Sequence, residues 1–286
     1  MAMSEISPNV PSQLRIVSYN LEALGQDAPA AEGAKKRENM AKTIEELDAD
    51  IVINQEAPNE ADYVDFSKSD LKGKYPYTHF FKTNDPSKHH LGIMSKFPIT
   101  ETQSHTDEEF PIHGSDEKMT FLRDAPETEI QVGPYALRII DVHFKADPYF
   151  KSRKAKDPDK MQLCEDKRVG EAEKVIDLIA GSMKRMPSKL YIVAGDMNET
   201  PTSPAIQTLT HNTTAPLIDS FGDSPEISHP AAGKRFDYIM LSPEMSQGLV
   251  QGSARVYHST SAENGSDHLP ISLTIDMDDL GGEKKA

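Results

Sequence analysis

Short apolar runs recur along the chain, and each of them predicts a β-strand. These runs are LRIVSYNL near Leu14, DADIVINQE near Ile51, HLGIMSK near Leu91, YALRIIDVHF near Leu137, KLYIVAGD near Ile192, RFDYIML near Tyr238 and HLPISLTI near Leu269. Two further segments, Ala34 to Leu47 and Cys164 to Met183, repeat their apolar residues at helical spacing and predict amphipathic helices. Because these helices fall between strands, the pattern predicts an α/β (α+β) fold in which sheets pack together and are covered by helices.

Most of these strands end or begin on a polar side chain that can bind a metal ion or a phosphate. The residues at these positions are Asn20, Glu56, His143, Asp196, Asn198, Asp267 and His268. Each residue taken alone has an ordinary interpretation as a turn, a cap or a satisfied core histidine. If the strands lie side by side, however, their ends form one acidic, hydrogen-bonding cleft, which is the usual place for a site in a sheet protein.

The chain has 286 residues, enough for a substantial core, and it shows neither internal repeats nor a break in composition. We therefore expect a single domain over residues 13–277, with a flexible N-terminal arm over 1–12 and a flexible tail over 278–286. No apolar run is long enough to cross a bilayer, so we expect no stable membrane association. The polar N-terminus, with an early Glu5, does not resemble a secretory signal.

The net charge of the chain is −15, and its isoelectric point is near 5.1. A protein that holds nucleic acid by charge alone is normally basic, so phosphate binding here requires a cation or a local basic patch. The one concentrated candidate is KADPYFKSRKAK, from Lys145 to Lys156, although most such runs are solvated loops. The single cysteine, Cys164, rules out an intrachain disulfide. A single cysteine suits a protein of the reducing cytoplasm, but an exported protein without disulfides would have the same composition.

Six short motifs follow one another along the chain: SYN, NQE, DVHFK, GDMN, FDYI and SDHLP. In this order they resemble the motif series of the endonuclease/exonuclease/phosphatase superfamily, from about Leu14 to Ile275. That group contains DNase I-like nucleases, abasic-site endonucleases, bacterial sphingomyelinases and inositol polyphosphate 5-phosphatases. The resemblance implies a DNase I-like fold, a four-layer sandwich of two mixed β-sheets flanked by helices, and this agrees with the layers predicted above.

The resemblance also implies a metal centre and a catalytic histidine. Glu56 matches the principal metal carboxylate, and Asn20 matches its amide neighbour near the metal. His268 matches the histidine that faces the scissile phosphate, and Asp267 beside it lies within reach of the metal. Asp237 matches the carboxylate that orients this histidine, which is the arrangement of a base held by a buried acid.

The remaining motif residues match groups that act on water or contact the phosphate. Asp196 matches the residue that orients or deprotonates the attacking water, and Asn198 matches an amide donor to the phosphate. His143 matches a second histidine that faces the phosphate in DNase I-like members. Arg123, in FLRDAPETEI, resembles more loosely an arginine that touches a phosphate. The resemblance therefore assigns His143 and Asn198 to both catalysis and substrate binding.

The predicted ligands carry oxygen donors, which favour a hard divalent cation: Mg²⁺ first, with Mn²⁺ or Ca²⁺ as the alternatives. One departure from the family pattern concerns His143. DNase I-like members pair the matching histidine with an upstream acid, and the segment NDPSKHHLGIMSK that occupies this region offers basic residues instead. We interpret His89 and His90 in this segment as exposed loop residues.

The sequence therefore predicts a metal-dependent phosphoester hydrolase with the nuclease chemistry of DNase I, acting on DNA as a monomer without an evident protein partner. The motif HFKA around His143, the arginine Arg123 and the basic run after Lys145 favour DNA. The alternative is a phosphatase or phosphodiesterase for a small-molecule or lipid phosphoester, which suits the acidic surface better. A non-catalytic binding module is disfavoured because the set of motif residues is intact.

Overall fold

The computed structural model describes residues 10–147, 157–185 and 189–280, which form two six-stranded β-sheets. Sheet I contains, in spatial order, β13 (Arg255–Val256), β14 (Ile271–Asp276), β1 (Gln13–Asn20), β2 (Ile51–Ala57), β4 (His90–Ser95) and β3 (Tyr77–Phe81). Sheet II contains β11 (Ile218–Asp219), β12 (Asp237–Leu241), β10 (Tyr191–Asp196), β9 (Tyr135–His143), β8 (Glu127–Val132) and β5 (Ile99–Gln103). A small ladder pairs β6 (Phe110–Pro111) with β7 (Lys118–Met119). Both sheets are mixed, because β1 runs parallel to β2 and β9 runs parallel to β10.

Helices cover the outer face of each sheet. Helix α1 (Ala30–Leu47) packs Met40 and Ile44 against Val17 and Val52 of sheet I. Helices α3 (Pro158–Arg185) and α4 (Pro204–His211) cover sheet II. Shorter elements are α2 (Glu60–Asp65), α5 (Pro243–Ser246), α6 (Thr260–Glu263), 3₁₀ helices at Glu22–Gly25 and Asp278–Leu280, and a π-helical turn at Phe66–Asp70. The predicted four-layer α/β sandwich is therefore confirmed. Within the described ranges, no helix has the length and apolar character that crossing a membrane requires.

Strand alternation decides which side chains enter the core between the two sheets. In β10, Ile192 and Ala194 belong to this core, whereas Tyr191 and Val193 pack under the helices. Successive side chains of a strand point to opposite faces, so the next inward position after Ala194 is Asp196. A strand that is apolar along its length thus presents a carboxylate between the sheets at its end.

Each apolar run and each helical segment identified in the sequence corresponds to an element of the structure. The pattern missed β3 and β5, which lie at the edges of their sheets and are only partly buried there. It also missed β8, because Glu127 and Glu129 are buried there against Arg138 of β9, at 3.1 and 3.2 Å. Buried ion pairs of this kind remove the hydrophobic signal on which strand prediction depends.

Both ends of the described chain pack against the domain. The Val10 side chain lies over Gly133, and the backbone amide of Met277 donates to the Ser12 carbonyl at 2.9 Å. Residues Asp278–Leu280 form a 3₁₀ helix, and Leu280 packs on the inter-sheet core. Residues 1–9 of the predicted arm and 281–286 of the predicted tail lie outside the described residues, and the flexibility of both ends stays a prediction.

Gly195 precedes Asp196 in β10 and cannot be replaced without displacing β9. Its φ is 141°, and a Cβ atom there would lie 1.9 Å from the Val142 carbonyl oxygen. We expect Gly195→Ala to lower the free energy of unfolding by about 2–5 kcal/mol, since backbone strain and overpacking add. Urea denaturation measures this change. Gly222→Ala is the matched control, because Gly222 also has a positive φ of 51° but no neighbour within 4 Å, and equal losses in the two variants would contradict the prediction.

Candidate active site

Polar side chains from both sheets converge on the Asp196 carboxylate, at one end of the sandwich. Asn20, at the end of β1, donates from Nδ2 to Asp196 Oδ2 at 3.2 Å. The Nε2 atoms of His143 and His268 lie 3.4 and 3.6 Å from the same oxygen. These four side chains are all buried. The predicted convergence of strand ends is thus present for these residues, and Asp196 is its centre.

His268 is held by a buried carboxylate. Its Nδ1 atom lies 2.8 Å from Asp237 Oδ2, which leaves Nε2 directed at Asp196. The same Asp237 oxygen accepts a hydrogen bond from Ser228 Oγ at 2.6 Å. Ser228 Oγ in turn accepts from the backbone amides of Phe236 and Asp237, so the start of β12 fixes the carboxylate. Ser228 is therefore a supporting residue that the sequence motifs did not identify.

Glu56 stands where β2 leaves its regular pairing with β4. The register shifts between Asn54 and Ala57, and Glu56 itself has a φ of 56°, which non-glycine residues rarely adopt. Its Oε1 atom lies 3.8 Å from His143 Nε2, and its Oε2 atom lies 3.8 Å from His89 Nε2. Glu56 is half-buried, so its carboxylate faces the cleft and not the core.

The interpretation of His89 and His90 as exposed loop residues is wrong. His90 begins β4 and is buried, and its Nδ1 accepts a hydrogen bond from the Thr83 backbone amide at 3.1 Å. The His89 side chain is 21% exposed, and its ring lies parallel to that of His143, with centroids 6.4 Å apart and planes within 10°. The turn that precedes β4 therefore brings a histidine into the cleft where the sequence indicated only a polar loop.

The acid of this region is Asp85, and its side chain lies next to Arg123 and His89. Asp85 Oδ2 accepts from Arg123 Nε at 2.7 Å and lies 3.7 Å from His89 Nδ1. The Nδ1 atom of His143 is buried and has no hydrogen-bond partner among the described residues. Asp85 therefore lies beside His89 and not at His143 Nδ1, so His143 keeps the departure from the family pattern that the sequence indicated.

Arg123 and Asn198, both predicted to contact substrate, hold the backbone that follows β9. Arg123 is 8% exposed, and its guanidinium donates to the Phe144 carbonyl at 3.0 Å in addition to Asp85. The Asn198 side chain donates to the same carbonyl at 3.1 Å, and its backbone amide donates to Asp196 Oδ1 at 2.9 Å. Asn198 has a φ of 51°, so this tight turn fixes the carboxylate from behind.

Asp267 lies beside the other residues but at the rim. Its side chain is 29% exposed, and its Oδ2 atom lies 4.0 Å from His229 Nε2. The His229 ring stands edge-on to that of His268, with centroids 4.5 Å apart. Sequence reasoning missed His229, because it lies in an irregular segment seven residues before the FDYI motif, without any periodic signal.

Burial and neighbouring charges separate the protonation states of the central residues. The pKa of Asp196 is raised to about 7, mainly by burial and additionally by the Asp237 and Glu56 charges, against the opposing effects of His268 and the Asn198 backbone amide. Burial alone would lower the pKa of His268, but Asp237 and Asp196 outweigh it and raise this pKa to about 10. Burial, with the nearby Arg123 charge, holds the pKa of His143 well below its usual range. The cleft therefore contains an imidazolium, a neutral imidazole and a carboxyl group that ionises near neutral pH.

A polar layer links the two sheets directly below the cleft. Gln55, next to Glu56, donates from Nε2 to Asp141 Oδ1 at 2.7 Å across the inter-sheet space. Asp141 is two residues before His143, and burial raises its pKa well above the usual value. One hydrogen bond thus connects the strand that carries Glu56 with the strand that carries His143.

The donor atoms of the cleft suit a divalent cation. Among the described residues, one group of three possesses donor atoms within 4.8 Å of one another: Asp196, Asp237 and His268. This group differs from the predicted ligands Asn20, Glu56 and Asp267. The Asp237 and Glu56 charges both act on Asp196, so three acidic groups lie close together in this cleft. Several carboxyl oxygens around a polar cleft fit a hard cation.

The basic run after β9 begins at a fixed point beside the cleft. The Lys145 backbone amide donates to Glu171 Oε2 at 2.9 Å, and its carbonyl accepts from Arg168 at 3.0 Å. The basic residues of the run, Lys151, Arg153, Lys154 and Lys156, lie outside the described residues. The structure therefore fixes only where this segment starts.

Comparisons with known proteins agree with this geometry. The family model described as the Endonuclease/Exonuclease/phosphatase family matches residues 17–268. The chain is similar to the structure of the human Nocturnin catalytic domain with bound sulfate anion, with 16% identity, a TM-score of 0.68, and coverage of 92% of this chain and 94% of that one. It is similar to truncated Caenorhabditis elegans TDP2 (15% identity, TM-score 0.61, coverage 92% and 98%). An endonuclease/exonuclease/phosphatase from Bacteroides vulgatus is also similar, with 15% identity, a TM-score of 0.64, and coverage of 93% of this chain and 99% of that one. A search of curated protein sequences finds no match.

Proposed function

Because the chain belongs to the endonuclease/exonuclease/phosphatase family, whose members hydrolyse phosphoester bonds, we propose that it is a metal-dependent phosphodiesterase that cleaves DNA. The observation that carries this proposal is the convergence of Asn20, His143 and His268 on Asp196, at 3.2–3.6 Å. A cleft that combines carboxylates with imidazoles suits an anionic substrate that is attacked by water.

Glu56, Asn20 and Asp267 are the residues that would hold the metal. Mg²⁺ is the first candidate ion, with Mn²⁺ or Ca²⁺ as the alternatives. When bound, the cation supplies positive charge that offsets the repulsion between the acidic cleft and the phosphate. The half-buried carboxylate of Glu56 faces the cleft, which supports its place in this set.

Asp196 and His268 divide the proton chemistry between them. Asp196, with its raised pKa, accepts a proton from the attacking water, since a base whose pKa lies near the working pH is most effective. His268 is already protonated at neutral pH, so its Nε2 donates to a phosphoryl oxygen and stabilises the negative charge that develops there. Asp237 holds the ring in this orientation.

His143 and Asn198 complete the phosphate contacts. The low pKa of His143 makes it a neutral hydrogen-bond donor and not a second positive charge. Asn198 gives one amide hydrogen to the Phe144 carbonyl, and its second amide hydrogen can serve the phosphate, because the group carries two donors. Arg123 acts behind them, where it fixes Phe144 and contributes positive charge at a distance.

The choice of DNA rests on the basic run after Lys145. Lys145, the first residue of this run, directly follows Phe144, whose carbonyl accepts a hydrogen bond from the Asn198 side chain. Positive charges that begin a few residues from the cleft can follow the backbone of a nucleic acid, whereas the net charge of −15 disfavours binding elsewhere.

A small-molecule or lipid phosphoester is the second candidate substrate. Arg123 and Arg168, the arginines nearest the cleft in the described ranges, are paired with Asp85 and Glu199 respectively. Their charges are therefore largely neutralised within the protein and contribute less to holding a long polyanion. A compact substrate that binds mainly through the central phosphate needs no such contacts.

A substrate panel tests both candidates. Purified protein with Mg²⁺ or Mn²⁺ is expected to cleave plasmid and single-stranded DNA, to lose this activity with a chelator, and to lose it in an Asp196→Asn variant prepared in parallel. Intact DNA together with hydrolysis of a generic phosphodiester, an inositol phosphate or sphingomyelin would reject DNA in favour of the second candidate. Absence of hydrolysis on every substrate would reject the phosphodiesterase proposal itself.

A further inference from the structure

We propose that His89 is a nitrogen ligand for the divalent cation that Glu56 holds, with the Asp85 carboxylate beside its second ring nitrogen. This inference rests on the proposed metal-dependent function and deepens it. It replaces the all-oxygen donor set expected from the sequence with a mixed nitrogen and oxygen set. The inference is argued from the distances that separate the His89 ring nitrogens from Glu56 and Asp85.

The separation of His89 and Glu56 is that of two ligands around one ion. His89 Nε2 lies 3.8 Å from Glu56 Oε2, which is too long for a hydrogen bond. Two donor atoms that each lie about 2.1 Å from a shared ion are about 3 to 4.2 Å apart, depending on the angle between them. The contact is thus too wide for direct bonding and suitable for a bridging cation.

Asp85 lies on the opposite side of the His89 ring from Glu56. A metal-binding histidine normally directs its second ring nitrogen at a carboxylate, which fixes the tautomer and the orientation of the ring. His89 Nδ1 is buried and has no hydrogen-bond partner among the described residues, and Asp85 Oδ2 lies 3.7 Å from it, so the carboxylate stands on the correct side but outside hydrogen-bond distance. Asp85 itself is fixed by Arg123 at 2.7 Å and by the Ser87 backbone amide at 2.8 Å. The ring of His89 therefore lies between one anchored carboxylate and one that faces the cleft.

The backbone on both sides of this contact is strained. Glu56 has a φ of 56°, and Lys88, which precedes His89, has a φ of 58°. A left-handed conformation is unfavourable for a non-glycine residue and persists where the surrounding structure requires it, often at ligand sites. Here the two strained residues bring side chains of separate loops to face each other.

His143 is less suited to the same task. Its Nε2 lies 3.8 Å from the other Glu56 oxygen, but also 3.4 Å from Asp196, so it is engaged at the centre of the cleft. Its side chain is 2% exposed, compared with 21% for His89. A cation that retains several waters needs the more open position, which is the one that His89 borders.

A nitrogen ligand changes which cation the cleft prefers. Imidazole nitrogen binds first-row transition-metal ions, of which Mn²⁺ is the weakest binder, whereas Mg²⁺ prefers oxygen ligands and water. We therefore expect the wild-type protein to bind Mn²⁺ more tightly than Mg²⁺, and His89 to be responsible for much of this difference.

The test is direct binding of the metal, measured without substrate. Isothermal titration calorimetry gives the affinity of the wild-type protein and of His89→Ala for Mn²⁺ and for Mg²⁺. We expect the variant to lose about 10–100-fold in Mn²⁺ affinity, and to lose less than about threefold in Mg²⁺ affinity. Pulsed electron paramagnetic resonance of bound Mn²⁺ should detect a coupled ¹⁴N nucleus in the wild-type protein and not in the variant.

His79→Ala is the matched control, because His79 is also half-buried, lies on β3 and packs against Phe81 outside the cleft. Its affinities and spectrum should equal those of the wild-type protein, and circular dichroism verifies that all three proteins are folded. An unchanged Mn²⁺ to Mg²⁺ ratio in His89→Ala, or ¹⁴N coupling that persists in it, overturns the inference while metal-dependent DNA cleavage still stands. A wild-type protein that binds neither cation overturns the proposed function as well.

Discussion

Replacing His268 by alanine is expected to lower kcat on DNA by about 10²–10⁴-fold while the protein remains folded. The variant loses the imidazolium that the Asp237 and Asp196 charges maintain, and with it the donor that faces the phosphate in our proposal. It also leaves the Asp237 carboxylate without its 2.8 Å partner. Initial rates at saturating substrate and metal measure the effect, and circular dichroism reports the fold.

His258→Ala is the matched control for this prediction. His258 is 58% exposed and lies 3.8 Å from Glu263, away from the cleft, so its removal should leave kcat unchanged. Ser228→Ala should give an intermediate loss, because Asp237 keeps its contact with His268 but loses the 2.6 Å hydrogen bond that holds it. Near-normal turnover of His268→Ala would refute the role assigned to this residue.

Replacing Glu56 by glutamine is expected to raise the Mg²⁺ concentration for half-maximal activity by about tenfold or more, because a neutral amide oxygen attracts a dication less than a carboxylate does. The rate at saturating Mg²⁺ should fall much less, since the other polar groups of the cleft remain. Initial rates across a metal titration, with calorimetry of metal binding alongside, measure the change.

Glu60→Gln makes the same chemical substitution at an exposed position in the first turn of α2, and its metal titration should match that of the wild-type protein. An unaltered titration for Glu56→Gln would exclude this carboxylate as the principal ligand. A parallel shift in both variants would instead indicate that overall charge, and not a specific ligand, controls the metal requirement.

The sequence predicted the layers of the fold because its central strands are buried on both faces. Runs such as those around Ile192 and Ile16 are continuous and apolar, and they identify strands without further information. Edge strands and strands with buried ion pairs have no such pattern. Arg138, which is 2% exposed, neutralises the acids of the neighbouring strand, and only three-dimensional pairing explains why they are inside.

The same alternation explains which site residues could be predicted. Asn20, His143 and Asp196 occupy inward positions at the ends of regular strands, so their meeting follows from strand geometry once the sheets are in place. His89 and Ser228 come from irregular segments, whose path depends on local hydrogen bonds. The turn that positions His89 is formed by hydrogen bonds from the Ser87 and Lys88 amides to Asp85. No periodicity in the sequence predicts such a turn.

The cleft is assembled from parts of the chain that are synthesised far apart in time. Asn20 and Asp196 are separated by 176 positions, and Ser266, whose hydroxyl donates to the Asn20 carbonyl, follows Asn20 by 246. A nascent or truncated polypeptide that lacks β14 and the segment leading into it therefore has no His268 to complete the cleft. The contacts of Asp196 with Asn20, His143 and His268 can therefore exist together only after residue 268 has been synthesised.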